Sequence, residues 1–257
     1  MRLGILVVTQ QASGKFPKRS TTMNPSTSLR KPPAAAFTLI ELLTVIAIIA
    51  ILMGLLFPVL SSAKNQARRQ SAAVAIRNIV SACKSYQADY GKFPPVATAL
   101  NGAANASGYY AFGDPSAGGA FKVGNENLFD VLRAISRGAN ANNALNKRQQ
   151  KYFEMGKAKD PNLPRDGFID GADLTKGTQG QLMDPWGTQY CIILDAADTG
   201  TIDMSPVYQD AAFQGTQNVL RVSAAALSMG QDGKIGTKGD KLLRKGTNVS
   251  DDIVSWQ

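Results

Sequence analysis

Few side chains in this chain can do chemistry, and they are unevenly placed. None of the 257 residues is histidine, so the commonest general base and a common metal ligand are missing. No nucleophile motif or phosphate-binding loop is present either, which argues against an enzyme. The acids draw attention in two places. Glu41 is the one charge in the apolar run FTLIELLTVIAIIAILMGLLFPVL, Phe37 to Leu60. Asp232, Asp240, Asp251 and Asp252 are spread over a glycine-rich C-terminal stretch. A hard cation such as Ca²⁺ takes about six to eight oxygen ligands, from carboxylates and carbonyls alike. A loop that doubles back can bring Asp232 and Asp252 to one ion. The carbonyls of Leu227 and Ser228 complete such a shell, with Asp240 and Asp251 as further candidates. Cys83 and Cys191 are the only cysteines; outside the cytoplasm they can pair, and two buried free thiols are the other reading.

These residues need elements to hold them. At about 1.5 Å per residue, the apolar run is long enough to cross a bilayer core of about 30 Å. A carboxylate at the centre of a span costs about 2.5–3.5 kcal/mol on insertion scales, so Glu41 needs a partner or a task. Before the run stand Arg2, Lys15, Lys18, Arg19, Arg30 and Lys31 and no acid, a flank that stays cytoplasmic. Small residues, Ala34 to Ala36, immediately precede Phe37. A secretory signal has its small-residue site after its apolar stretch, which is also shorter. Cleavage between Ala36 and Phe37 would remove the basic leader and keep the span. Taking those six charges from the net +9 leaves about +3, so the basic balance is mostly a leader effect and nucleic acid is not an expected partner. Met23 opens a tighter leader, MNPSTSLRKPPAAA, and is the expected true start.

Beyond the span, Ala63, Ala67, Ala72, Ala73, Ile76, Ile79, Val80, Cys83, Tyr86 and Tyr90 recur at steps of three and four. One helix is therefore expected from near Thr38 to about Tyr90. Its first half is apolar all round and its second amphipathic, in need of a partner surface. Pro58, helped by Gly54, should kink or locally melt it; Gly91 and Pro94-Pro95 should stop it. Asn101 to Gly124 reads as a long loop, Asn127 to Ser136 as a short helix, and Asn140 to Met155 as another helix or a solvated excursion. Asp166, Asp170 and Asp173 have calcium-like steps but lack the twelve-residue loop and its terminal Glu, so they read as surface turns. Asp184-Pro-Trp-Gly makes a turn with a buried Trp186, and Tyr190 to Leu194 a strand. Val219 to Ser228 reads as a second strand.

Ala-Phe-Thr-Leu-Ile-Glu (Ala36 to Glu41), behind a basic leader and within an apolar helix, resembles the type IV prepilin class. Ala36 stands where that class usually has Gly. Tyr86-Gln-Ala-Asp-Tyr-Gly-Lys-Phe-Pro94 and Asp184-Pro-Trp-Gly-Thr-Gln-Tyr190 are similar to the helix end and the sheet opening of the major pseudopilins of type II secretion. Ser228-Met-Gly-Gln-Asp232-Gly, followed by Asp252-Ile-Val-Ser-Trp256, resembles their calcium loop. Lys241, Arg244 and Lys245 depart from the acidic, glycine-rich pattern of that loop. The C-terminal loop has acids where many type IV pilins have a disulfide.

The resemblance implies an α+β fold, a long N-terminal helix packed on a small antiparallel sheet. It implies a prepilin peptidase that cuts between Ala36 and Phe37 and methylates Phe37. It also implies assembly into a periplasmic filament through Glu41, which pairs with the Phe37 amine of a neighbouring copy. The organisation that follows is leader 1–36, transmembrane half 37–60, amphipathic half 61–92, a variable insertion 93–183, and sheet plus calcium-type loop 184–257. The expected location is the inner membrane, crossed once, with the N-terminus cytoplasmic and the C-terminal part periplasmic. Expected partners are the peptidase, further copies in a helical homopolymer, other pseudopilins and the inner-membrane assembly platform. A type IV pilin for adhesion, motility or DNA uptake, or a minor or orphan pseudopilin, shares the same N-terminus.

Overall fold

The computed structural model describes residues 38–96, 108–114, 121, 123–160, 162–170, 178–204, 207, 219–235 and 251–256. Ala36, Phe37, Asp173, Asp240 and the proposed start at Met23 lie outside them. The chain divides into two compact units, 1–52 and 53–257.

Helix α1, Leu39–Tyr90, carries the described residues of the first unit and opens the second. Every residue from Thr38 to Lys64 is exposed, as a segment apolar all round must be when no partner covers it. In the second unit Ala72, Ala75, Ile76, Ile79, Ala82, Cys83 and Tyr86 are buried. Their steps of three and four place them on one face. The helix runs unbroken through Pro58, so the expected local melting does not occur. Proline removes one backbone donor, but Met53, Leu55, Leu56 and Leu60 around it are strong helix formers. The stop is as expected: Gly91 has φ +71°, and its N–H donates to the Gln87 carbonyl at 2.8 Å.

The buried face of α1 meets a four-stranded antiparallel sheet of order β1-β4-β7-β8. The strands are β1 Tyr109–Phe112, β4 Cys191–Asp195, β7 Ala224–Ser228 and β8 Ile253–Val254. Two smaller pairs join β2 Gly167–Phe168 to β3 Leu182–Met183 and β5 Ile202–Asp203 to β6 Val219–Leu220. This is the expected α+β arrangement of helix on antiparallel sheet. Alternation sorts the sheet into two faces. Phe112, Ile192, Leu194, Ala224 and Ala226 join α1 in one core. Tyr109, Cys191, Ile193, Ala225 and Leu227 join Phe121, Ile202 and Met229 in a second.

Three expectations need correction. The stretch 101–124, read as a loop, contains β1, which pairs Tyr109 with Asp195 and Phe112 with Ile192. In region 93–183 the expected short helix is present. Its helix α2, Glu126–Leu132, sends Leu128, Phe129, Val131 and Leu132 into the core of α1. After a short 3-10 turn, Gly138–Asn143, the path to Met155 forms no further helix and is exposed from Lys147 to Lys151. The buried amides of Asn140 and Asn146 pin it, with Asn146 Nδ2 donating to the carbonyls of Val131 and Gln150, both at 2.8 Å. Finally, 219–228 is two strands, since β6 pairs with β5 and only β7 enters the main sheet.

Candidate functional site

The N-terminal site is built by the first turn of α1. The Glu41 carboxylate (Oε2) accepts from the Thr38 backbone N–H at 2.8 Å and from the Thr38 hydroxyl at 2.7 Å. The Glu41 N–H donates back to Thr38 Oγ1 at 3.3 Å. This is a reciprocal capping box, in which two donors orphaned at the start of a helix are satisfied by each other's side chains. Thr-x-x-Glu spacing alone carries that signal, and the sequence reading passed over it. The acid thus has a partner inside its own turn, one residue from Phe37. Since the Thr38 N–H stays an amide after cleavage at Ala36, the box is compatible with processing.

The turn that opens with Asp184 is held by its carboxylate, which also reaches the strand before the C-terminal acids. Asp184 is fully buried. Its Oδ1 accepts from the N–H groups of Trp186, Gly187 and Thr188 at 2.8–2.9 Å. Its Oδ2 accepts from the hydroxyls of Thr188 at 2.7 Å and Ser228 at 2.6 Å. Gly187 sits at φ +100°, which suits a residue without a Cβ. The turn therefore fastens the end of β7. Trp186 is half-buried rather than buried, and its indole Nε1 has no hydrogen-bond partner among the described residues.

Beyond β7 the chain turns at Met229 to Ile235 and returns in β8. Asp251 Oδ2 accepts from the N–H groups of Gln231 at 2.5 Å and Asp232 at 3.1 Å. Asp232 Oδ1 caps the Lys234 N–H at 2.9 Å. The fold thus places Asp232 beside Asp251, with half-buried Asp252 next in the chain. Leu227 and Ser228 are strand residues: Leu227 lies opposite Cys191 on one side and Val254 on the other, and Ser228 lies opposite Ile253. The donors near the turn are all oxygens, the right chemistry for a hard cation. Among the described residues, however, no three of His, Cys, Asp or Glu stand close enough to hold a metal ion.

With this geometry in place, one comparison bears on the N-terminus. Residues 32–57 match the family described as the prokaryotic N-terminal methylation motif. The chain has a pilin-like N-terminus. This supports a type IV pilin-like protein that is processed by a prepilin peptidase and polymerises, a structural class. The matched residues include Ala36, Phe37, Thr38 and Glu41. The apolar helix that follows fits the membrane anchor of such proteins. Comparison with curated proteins gives no match, and comparison with solved structures gives none.

The two cysteines do not pair. Both are free and buried. Cys83 belongs to the core between α1 and the sheet, and Cys191 faces the opposite side of the sheet. The β4 backbone therefore stands between the two thiols, which is the reason the candidate disulfide is not made. Burial pushes each thiol up to about 12. Of the remaining acids, Asp170 is held low by hydrogen bonds from Lys157, at 2.8 Å, and Gln179. Asp166 accepts from the Ser71 hydroxyl at 2.9 Å. Both behave as the surface-turn acids expected of them.

Proposed function

We propose that this chain is the major pseudopilin of a type II secretion system, a periplasmic filament subunit anchored in the inner membrane until it assembles. The observation that carries the reading is the methylation motif at 32–57 leading straight into a helix half that is exposed and apolar. Such a surface is stable only in lipid or against other apolar helices. Once the peptidase removes the leader, the methylated Phe37 amine of one copy lies within reach of Glu41 on the next. In low-dielectric surroundings that attraction is worth far more than in water. Subunits then stack by heterologous contacts, which extend rather than close. The assembly platform and other pseudopilins are the partners this reading requires.

A calcium ion at the C-terminal turn is the second part of the proposal. Asp232 and Asp252 are its first ligands, with Asp240, Asp251 and the carbonyls of Leu227 and Ser228 as the remaining candidates. What supports it is the return of β8 beside the turn that carries Asp232.

Deletion of the gene followed by comparison of the secreted proteins tests the first part. Loss of a defined set of secreted proteins is expected. Unchanged secretion with loss of surface fibres or twitching would instead mark a type IV pilin. For the second part, calcium should raise the melting temperature of the purified protein, and an identical melting curve in EDTA would sink it.

A further inference from the structure

The return of β8 rests on more than two residues of strand pairing. Asp251 presents its carboxylate to two successive backbone N–H groups, those of Gln231 and Asp232. Such a pair of donors in a turn is a small anion-binding concavity. Gly230, at φ +67°, shapes it, and a Cβ there would stand 2.5 Å from the Asp251 carbonyl oxygen. On the other side of the turn, Gly230 N–H donates to Ser228 Oγ at 3.3 Å, whose hydroxyl is spent on buried Asp184. Further along, Ser255 grips β7 twice: its N–H donates to the Ala226 carbonyl and its Oγ accepts from the Ala226 N–H, both at 3.0 Å. Trp256 then packs on the second core.

We infer that Asp251 is a latch: its carboxylate, seated on the Gln231 and Asp232 N–H groups, docks the C-terminal strand without any divalent cation. The inference rests on the reading of a pseudopilin-type C-terminal loop but assigns Asp251 a different task from ion ligation. An Oδ2 shared between two N–H groups is directed at the backbone. Charge-assisted bonds of this kind are about twice as strong as neutral ones. Calcium, where it binds, then acts on a C-terminal strand already docked. Gly230 is the second residue of the device, because any side chain there pushes the Asp251 backbone out of reach.

The chain has two tryptophans, so Trp186→Phe leaves Trp256 as the sole reporter of C-terminal docking. In the detergent-solubilised full-length protein stripped with EDTA, Trp256 should stay shielded from acrylamide. Adding Asp251→Ala or Gly230→Ala should raise its quenching several-fold. Asp251→Asn, which keeps an oxygen acceptor without the charge, should fall between, separating the latch from a general loss of fold. Trp256 that is freely quenched in EDTA with Asp251 intact overturns the latch and leaves the calcium proposal standing. Trp256 still shielded in both the Asp251→Ala and Gly230→Ala proteins also overturns it. A Trp256 that is shielded in EDTA and released by Asp251→Ala upholds the latch, and calcium binding is then decided by the melting curve.

Discussion

The two halves of α1 obey opposite rules. From Leu39 to Leu60 every side chain is exposed and nearly all are apolar; the one acid is folded back onto Thr38. From Ala72 to Tyr86 a single stripe is buried and the remaining faces carry Arg77 and Lys84. Among the described residues, none in the first half is buried. The second half has found its surface in the sheet. A single helix, unbroken at Pro58, thus has under the proposed function a task of assembly at one end and of folding at the other. The two tasks should fail separately.

The sharpest break is at Glu41. Glu41→Leu removes the charge and half of the capping box, while the rest of the apolar run still inserts. Membrane fractionation should find the protein where the wild type is, and electron microscopy should find no filaments. The loss of a helix cap costs about 1 kcal/mol, too little to abolish insertion. Thr38→Ala separates the tasks further, because it weakens the box and keeps the acid. Normal filaments from Glu41→Leu would refute the assembly role and leave the acid as a capping residue only.

The converse variant lies in the second half. Ile79 is fully buried between α1 and the sheet. Ile79→Ala should cost about 2–5 kcal/mol of domain stability through lost burial and the cavity left behind. Denaturant unfolding followed by tryptophan fluorescence would measure it, and insertion should be unchanged. Val74, on the outward face and 49 % exposed, is the control. Val74→Ser should stay within about 0.5 kcal/mol of wild type.

How far the sequence reveals this contrast depends on whether the signal is local. The helix was legible almost to the residue, because apolar periodicity, Gly91 and Phe37-to-Leu60 hydrophobicity are all carried by neighbours in the chain. Strand β4 was legible for the same reason. Strand β1 was not: Tyr109 to Phe112 is short, flanked by Gly, Ala and Ser, and is defined by pairing with residues about eighty positions away. The same holds for Asn140 and Asn146, whose amides serve carbonyls that only the fold brings near. Asp184 was read as a turn residue; its bond to Ser228 spans the gap between two strands and leaves no trace in spacing. The pairing of Cys83 with Cys191 looked feasible because helix and strand are adjacent, and strand alternation decides against it. The acids at the C-terminus were legible as a group, but only the return of β8 shows that Asp251 spends its carboxylate on backbone.

The smallest effect to look for comes from titration, and it again belongs to the packed half. Burial raises Cys83 from 9.0 to about 12 and Tyr86 from 10.0 to about 12. The Tyr86 hydroxyl donates to the Leu145 carbonyl at 2.6 Å, a bond available only to the protonated form. Above about pH 9 the unfolded chain gives up these protons while the folded one keeps them. The unfolded state then binds fewer protons, and stability must fall as pH rises. The melting temperature of the domain should therefore decline between pH 9 and 12, and Cys83→Ala should flatten part of the decline. Below pH 9 that variant should show no change of slope against wild type. At pH 8 iodoacetamide should leave both thiols unmodified in the native protein and label them after unfolding, since a raised value and burial both suppress the thiolate. Prompt labelling of Cys83 in the native protein would mean that the stripe on α1 opens from the sheet, and the difference between the two halves would then be one of degree.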